Sequence, residues 1–169
     1  YAPPLISNFQ GDGAIDASTR GNETVTIVGD HFGESMDAID AVRYGDLGEP
    51  EFDVRHTCSM HTPHTALRCV TIEGAGGSNI QWMVTVSGQN SSAPSTSAAP
   101  PVVEAVELFD ATSRAPLPFA NASGGTGLRV RGQHFTTSAR RIDWVRFGVP
   151  GAEIDARDCA VVEAHTTIE

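Results

Sequence analysis

One four-residue phrase occurs twice. Residues 29–32 read Gly-Asp-His-Phe and residues 132–135 read Gly-Gln-His-Phe, 103 positions apart. At that offset Ile39, Asp40, Val42, Arg43 and Gly45 meet Ile142, Asp143, Val145, Arg146 and Gly148, and Tyr44 meets Phe147. Upstream, 25–29 (VTIVG) meets 128–132 (LRVRG), and 3–6 (PPLI) meets 100–103 (PPVV). Farther on the offset shortens to 101, where Cys58 meets Cys159 and His64-Thr65 meets His165-Thr166. Such a drift is what loops of unequal length produce between strands of the same geometry. A repeat of this length means one folding unit used twice. The expected organisation is a first unit at 1–97, with a Ser/Pro-rich linker at about 89–99, and a second at 98–169. The first reads as complete. The second reads as stopping before its final strands, since the counterpart of Cys69 falls just beyond Glu169. Tyr1, followed by Pro3 and Pro4, reads as the finish of a preceding unit, so that the chain is a window on a longer array.

The period inside each copy is two. In 24–29, Val25 and Ile27 share one face, and Thr24 and Thr26 the other. In the second copy Leu128 and Val130 alternate with Arg129 and Arg131. Residues 80–86 place Ile80, Trp82, Val84 and Val86 against Gln81, Met83 and Thr85. Strict alternation marks a half-buried strand. Shorter strands fit 41–45, 52–55 and 66–72, with counterparts at 144–148 and 154–157. Residues 34–45 (ESMDAIDAVRYG) come nearest to a helix, but the copy TSARRIDWVRFG favours a short turn and then a strand. About seven short strands per copy, separated by turn signals, predict an all-β fold of two antiparallel sandwiches, because one small sheet cannot bury its apolar face alone.

Composition narrows the partners. The chain carries 21 acidic residues against 11 Lys and Arg, a formal net charge of −10. Phosphate backbones and anionic lipids are held by cations, so nucleic acid is excluded as an expected partner. No apolar run reaches the length of a membrane span, so direct membrane insertion of this segment is not expected.

The order "PPLI … GNETVTIVGDHFG … VRYG … C … LRC … MVTV", with "PPVV … GGTGLRVRGQHF … VRFG … C" in the second copy, resembles the IPT/TIG immunoglobulin-like domain. The resemblance covers nearly the whole chain, and its Gly-x-x-Phe element with a downstream aromatic-Gly occurs twice in register. Two features depart from the family pattern. Gly21-Asn22 stands where a Gly-Gly turn is usual, and "SGQNSSAPSTSAAPP" replaces an aromatic-x-Tyr-Pro finish. The resemblance implies tandem immunoglobulin-like (IPT/TIG) sandwiches and a cysteine pair in each.

On that reading Cys58 and Cys69 form a disulfide across "SMHTPHTALR", and Cys159 has its partner just beyond Glu169. Two buried thiols are the plain alternative. A second is zinc held by His56, Cys58, His61, His64 and Cys69, which the second copy does not repeat, having only Cys159 and His165. Three Asn-x-Ser/Thr triplets, at Asn22, Asn90 and Asn121, fall in expected turns or linkers and are candidate N-glycosylation sites. The acidic stretches 11–16 and 45–53 have oxygen ligands suited to calcium but no loop spacing for it, so no metal or other cofactor is expected. His31 and His134 recur beside Phe, which points to shared packing beside the phenyl ring rather than proton transfer. No nucleophile–base spacing is present, and no catalytic residue is expected.

The expected role is therefore a non-catalytic structural and adhesive segment of an extracellular or cell-surface glycoprotein. Its modules act as rigid spacers and protein-contact surfaces, with filament-forming and ciliary surfaces among the settings. Partners are neighbouring immunoglobulin-like repeats, other proteins of the assembly, and N-linked glycans. The alternatives are accessory domains of a secreted carbohydrate-active enzyme, for which Trp144 is the candidate sugar platform while Trp82 reads as core, and a transcription-factor dimerisation domain.

Overall fold

In the computed structural model, which describes residues 2–45 and 51–169, the alternating segments are strands and no α-helix occurs among those residues. The chain divides into two units, Tyr1–Pro100 and Pro101–Glu169.

The first unit contains β1 (Leu5–Gln10), β2 (Thr24–Asp30), β3 (Ile39–Gly45), β4 (Phe52–Asp53), β5 (Ser59–Thr62), β6 (Ala66–Val70), β7 (Ile80–Val86), β8 (Gln89–Asn90) and β9 (Ser95–Thr96). They form two antiparallel sheets. One has the order β1-β2-β6-β5; the other has the order β4-β3-β7-β8, with β9 also on β7. The alternation explains why the sheets close on each other. Val25 and Ile27 of β2, Leu67 and Cys69 of β6, Ile39, Val42 and Tyr44 of β3, and Ile80, Trp82 and Val84 of β7 are all buried in one cluster. Trp82 is its largest member. It stacks on Tyr44 with ring centroids 4.5 Å apart, and its indole N–H donates to Thr96 Oγ1 at 2.9 Å. The Tyr44 hydroxyl donates to Ile72 O and accepts from Ile72 N, so both polar atoms of the aromatic pair are satisfied inside. The predicted inward faces of 24–29 and 80–86 are thus the core, with Val86 half-buried at its edge.

Residues 89–99 are not a linker. Ser87 and Gly88 both have positive φ (46° and 77°), as a two-residue hairpin turn requires. The chain then returns along β7: Gln89 and Asn90 pair with Val86 and Thr85, and Ser95 and Thr96 with Gln81 and Ile80. Between them Ser91 N donates to Val84 O (2.9 Å) and Trp82 N to Pro94 O (2.9 Å). Beyond β9, Ala98 N bonds Gly77 O and Ala99 N bonds Ala17 O, both at 2.8 Å. The segment is the closing strand of the first unit, and the unit ends at Pro100 rather than at 97.

The second unit contains β10 (Val102–Asp110), β11 (Pro116–Leu117), β12 (Thr126–Gln133), β13 (Arg146–Val149), β14 (Ala152–Asp155), β15 (Val161–Glu163) and β16 (Thr167–Ile168). One antiparallel sheet runs β11-β10-β12-β16-β15, and β13 pairs with β14 alone. Its buried cluster is Val130, Phe135 and Ile168, with Ile142, Val145, Cys159 and Val161 packed against it. Each is the counterpart of a core residue of the first unit: Ile27, Phe32, Leu67, Ile39, Val42, Cys58 and Met60.

The repeat holds at the level of single hydrogen bonds. The β1–β2 register Ile6↔Gly29, then a bulge, then Asn8↔Val28 recurs as Val103↔Gly132, a bulge, and Ala105↔Arg131. The β2–β6 pair Ile27↔Leu67 recurs as Val130↔Ile168. The β5–β6 bulge between Met60 and Thr62 recurs between Val161 and Glu163. Gly29 and Gly132 are required by space. A Cβ on Gly29 would lie 1.9 Å from Leu5 O and 2.6 Å from Phe32 Cζ, and on Gly132 it would lie 1.8 Å from Val102 O and 2.6 Å from Phe135 Cζ.

The paired histidines have a backbone explanation. His31, His134, His64 and His165 all have φ between 64° and 67°, the left-handed region that side chains seldom enter and His, Asn and Asp enter most readily. These turns lock together. Phe32 N donates to His64 O (3.0 Å) and His64 N to Gly33 O (2.6 Å); in the second unit Phe135 N donates to His165 O (3.1 Å) and His165 N to Thr136 O (2.6 Å). Recurrence of His-Phe and His-Thr marks two tight bends that hydrogen-bond to each other.

Candidate functional site

The feature of the first unit with distinctive chemistry is the β5–β6 hairpin and its cystine. Cys58 immediately precedes β5, and the 3₁₀ turn Arg55–Thr57 delivers it to the inner side. Cys69 lies fully buried in β6. A disulfide joins them, with Cα atoms 4.0 Å apart. The entry turn is fixed by hydrogen bonds. Thr57 Oγ1 donates to Val70 O (2.6 Å), and Val70 N returns a bond to Thr57 Oγ1 (3.3 Å). The Arg55 guanidinium donates to Ile39 O and Met36 O, tying the hairpin to the start of β3. Both sulfurs are consumed by the cystine, so neither is available as a thiolate ligand for zinc. His56, His61 and His64 project from exposed positions around it. Among the described residues no group of three or more His, Cys, Asp or Glu is placed to hold a metal ion. Part of the acidic stretch 45–53 lies outside the described residues, as does Tyr1.

Cys159 occupies the place of Cys58 in the second unit and is a free, half-buried thiol. Burial, and then the negative charge of Asp158, raise its pKa above the ordinary thiol value. Both effects disfavour the thiolate, so the group is a poor nucleophile.

All three sequon asparagines are exposed. Asn22 sits at positive φ (62°) in the turn before β2, with its backbone N–H held by Thr71 O at 2.8 Å. Asn90 lies on β8, where its Oδ1 accepts from Thr85 Oγ1 at 2.8 Å. Asn121 opens an Asx turn, its Oδ1 accepting from Ser123 N at 2.9 Å. The expectation that Asn90 lies in a linker changes with the strand assignment of 89–90; its exposure does not, because β8 is at a sheet edge.

Charge on the outer face of the second unit is organised around three arginines. Arg129 reaches Glu169 and Glu107, Arg131 reaches Glu107 at 3.2 Å, and Arg114 also pairs with Glu169. Hydrogen bonds from Arg114 and then Arg129 hold the Glu169 carboxyl below its usual range. Trp144 is 61% exposed, with the Arg146 guanidinium 4.8 Å from its ring centroid.

Sequence reasoning missed the closing strand 89–99 and the Arg55 clamp. The Ser87-Gly88 dipeptide after an alternating run was a usable hairpin signal for the former. Nothing in the sequence pointed Arg55 at two carbonyls nineteen and sixteen residues upstream.

No family model matches this chain, and no curated protein or solved structure matches it. Among the described residues no helix is long and apolar enough to cross a membrane.

Proposed function

We propose that the chain is a non-catalytic structural and adhesive segment of an extracellular or cell-surface glycoprotein, made of tandem immunoglobulin-like repeats of the IPT/TIG type. The observation that carries the reading is one hydrogen-bond lattice used twice, combined with a cystine that pins two neighbouring strands. A repeated unit that keeps its backbone register while its surface residues change is suited to serve as a spacer with variable contact loops. The sheet orders support the immunoglobulin-like part. β1-β2-β6-β5 and β4-β3-β7-β8 follow the A-B-E-D and C′-C-F-G connectivity of such sandwiches. The cystine differs from the inter-sheet bridge of antibody domains, because Cys58 and Cys69 flank one hairpin of one sheet. A disulfide that persists favours an oxidising compartment, and exposed sequons suit the same one.

The test is to produce the chain through a secretory pathway and to label its native parent on intact cells. Non-reducing peptide maps should recover a Cys58–Cys69 linked peptide, glycan should be found on at least one of Asn22, Asn90 and Asn121, and antibody should bind unpermeabilised cells. Free thiols at both cysteines in native material, with labelling only after permeabilisation, would overturn the proposal.

A second reading, accessory modules of a secreted carbohydrate-active enzyme, is favoured by one observation, the exposed Trp144. Arg146 already occupies the region over its ring, which leaves less of the indole for a sugar. Titration with oligosaccharides against the chain and its Trp144→Ala variant decides it: the reading needs saturable binding that the variant loses.

A further inference from the structure

Among the described residues of the first unit, β1 and β5 end one sheet, and β4 and β8 end the other. An end strand offers unpaired N–H and C=O groups to any other strand, and proteins blunt it with proline, bulges, charge or brevity. Three of these edges are blunted by their own residues. β1 follows Pro3-Pro4 and is bulged between Ile6 and Asn8. β5 is bulged between Met60 and Thr62 and runs into Pro63. β4 is two residues long and ends on Asp53. The fourth edge is longer, because the chain from Gln89 to Thr96 follows β7 from Val86 back to Ile80. Pro94 blunts its far half. Its near half, 89–93, has no proline, and no Asp, Glu, Lys or Arg stands anywhere between Glu73 and Glu104.

Asn90 is where this edge is open. Ser91 N donates to Val84 O (2.9 Å). Bonded and outward residues alternate along an antiparallel strand, so the N–H and C=O of Asn90 point away from β7. Two such groups on one residue are self-complementary. About a twofold axis, Asn90 of a second copy would accept one bond and return another. The side chain of the same residue lies beside Thr85, whose Oγ1 donates to its Oδ1 at 2.8 Å. Asn90 is exposed, and this bond leaves its amide nitrogen, the atom to which an N-linked sugar attaches, available.

We propose that a glycan on Asn90 guards this edge, and that without it β8 pairs antiparallel with β8 of a second copy of the chain, centred on Asn90. The sugar supplies the obstruction that proline, bulges and charge supply at the other three edges. The inference rests on the glycoprotein reading above and gives one sequon of the three a distinct role. Asn22 and Asn121 lie in turns, where no strand edge is open.

The test uses the full 169-residue chain, secreted from a glycosylating host, with the sugar at Asn90 read by peptide mapping. Three variants lack that sugar. Ser92→Ala destroys the sequon and leaves Asn90 and the edge as they are. Asn90→Pro removes the outward N–H, which the β7 ladder does not use, and Asn90→Lys puts charge on the edge. In sedimentation, Ser92→Ala should self-associate at least tenfold more tightly than the glycosylated chain, and its Asn90 amide should exchange more slowly as concentration rises. Asn90→Pro and Asn90→Lys should associate no more than the glycosylated chain. The guard is overturned if Ser92→Ala loses the sugar and gains no association, or if Asn90→Pro and Asn90→Lys associate as tightly as Ser92→Ala. A parent chain without sugar at Asn90 also overturns it; sugar at Asn22 or Asn121 in the same map then leaves the glycoprotein reading standing.

Discussion

In the first unit Tyr44 lies buried under Trp82; in the second its counterpart Phe147 stands half in solvent. Both residues nonetheless pair with the adjoining strand in the same register. The contrast separates two contributions to this fold. The hydrogen-bond lattice of strands, bulges and left-handed bends is set within each sheet and appears in both units. Burial of the apolar face depends on a facing sheet, and it is extensive only where β7 to β9 are present. Burial supplies most of the favourable free energy of folding, whereas a backbone hydrogen bond exchanged with water contributes about 1 kcal/mol net. The first unit should therefore be the more stable of the two, and four measurements break or sharpen that comparison.

The largest effect should come from Trp82→Ala. It removes the biggest side chain of the cluster, its stack on Tyr44 and its bond to Thr96. A loss of about 3–5 kcal/mol is expected for such a truncation. Calorimetry should show the transition of the first unit falling steeply, while Trp144→Ala, a change at an exposed position, moves neither transition by more than about 0.5 kcal/mol. Equal responses would mean that the two units do not differ in closure.

The cystine comes next. In the chain-entropy account a loop of this length stabilises by about 3 kcal/mol. Reduction, or the pair Cys58→Ala and Cys69→Ala, should lower the first transition by roughly that amount and leave the second, whose Cys159 is free, unchanged.

Gly29→Ala and Gly132→Ala probe what the units share. Each Cβ would collide with a backbone carbonyl and with a buried phenyl ring. Overpacking of this kind costs about 1–3 kcal/mol, and the two substitutions should cost similar amounts, each in its own unit. Denaturant titrations followed by a probe in each unit would read both. A large inequality would show that the matching lattice does not carry matching strain.

The smallest effect should appear in acid. The Asp110 carboxylate accepts from Ser113 N (2.7 Å) and Thr112 N (3.1 Å), and these bonds, with the Ser113 backbone contact the largest, lower its pKa. A carboxyl whose folded pKa is depressed contributes stability above its ordinary range and loses it as pH falls through the folded value. Asp110→Asn should therefore flatten the acid limb of the stability of the second unit slightly. The first unit has Gly13 at the corresponding place and should be indifferent to any such term.

Much of this arrangement was legible in the residues. The alternation of Val25 and Ile27, and of Ile80, Trp82 and Val84, identified strands and their inner faces because a two-residue period is a local property. The short turn after Glu34 was readable from its copy, where Ala139–Arg141 makes the same 3₁₀ turn. The cysteine pair was readable from the repeat and the family resemblance together. Residues 89–99 were not, because their composition is that of a linker. Ser, Thr, Ala and Pro carry little apolar signal, and what makes them a strand is the edge of β7 and the indole of Trp82, both supplied from elsewhere in the chain. The histidines were misleading in another way. Their recurrence reads as packing beside a phenyl ring, and its cause is a backbone angle that sequence displays only as a preference.

By itself, then, the order of residues determined the number of units, the strand periodicity, the inner faces and the cysteines available to pair, since all of these follow from spacing along one chain. The tertiary structure alone decided which edge each strand takes and that the Ser/Pro-rich tail closes the first sandwich. Those outcomes depend on contacts between segments far apart in sequence, whose free energy exists only once the second sheet is in place.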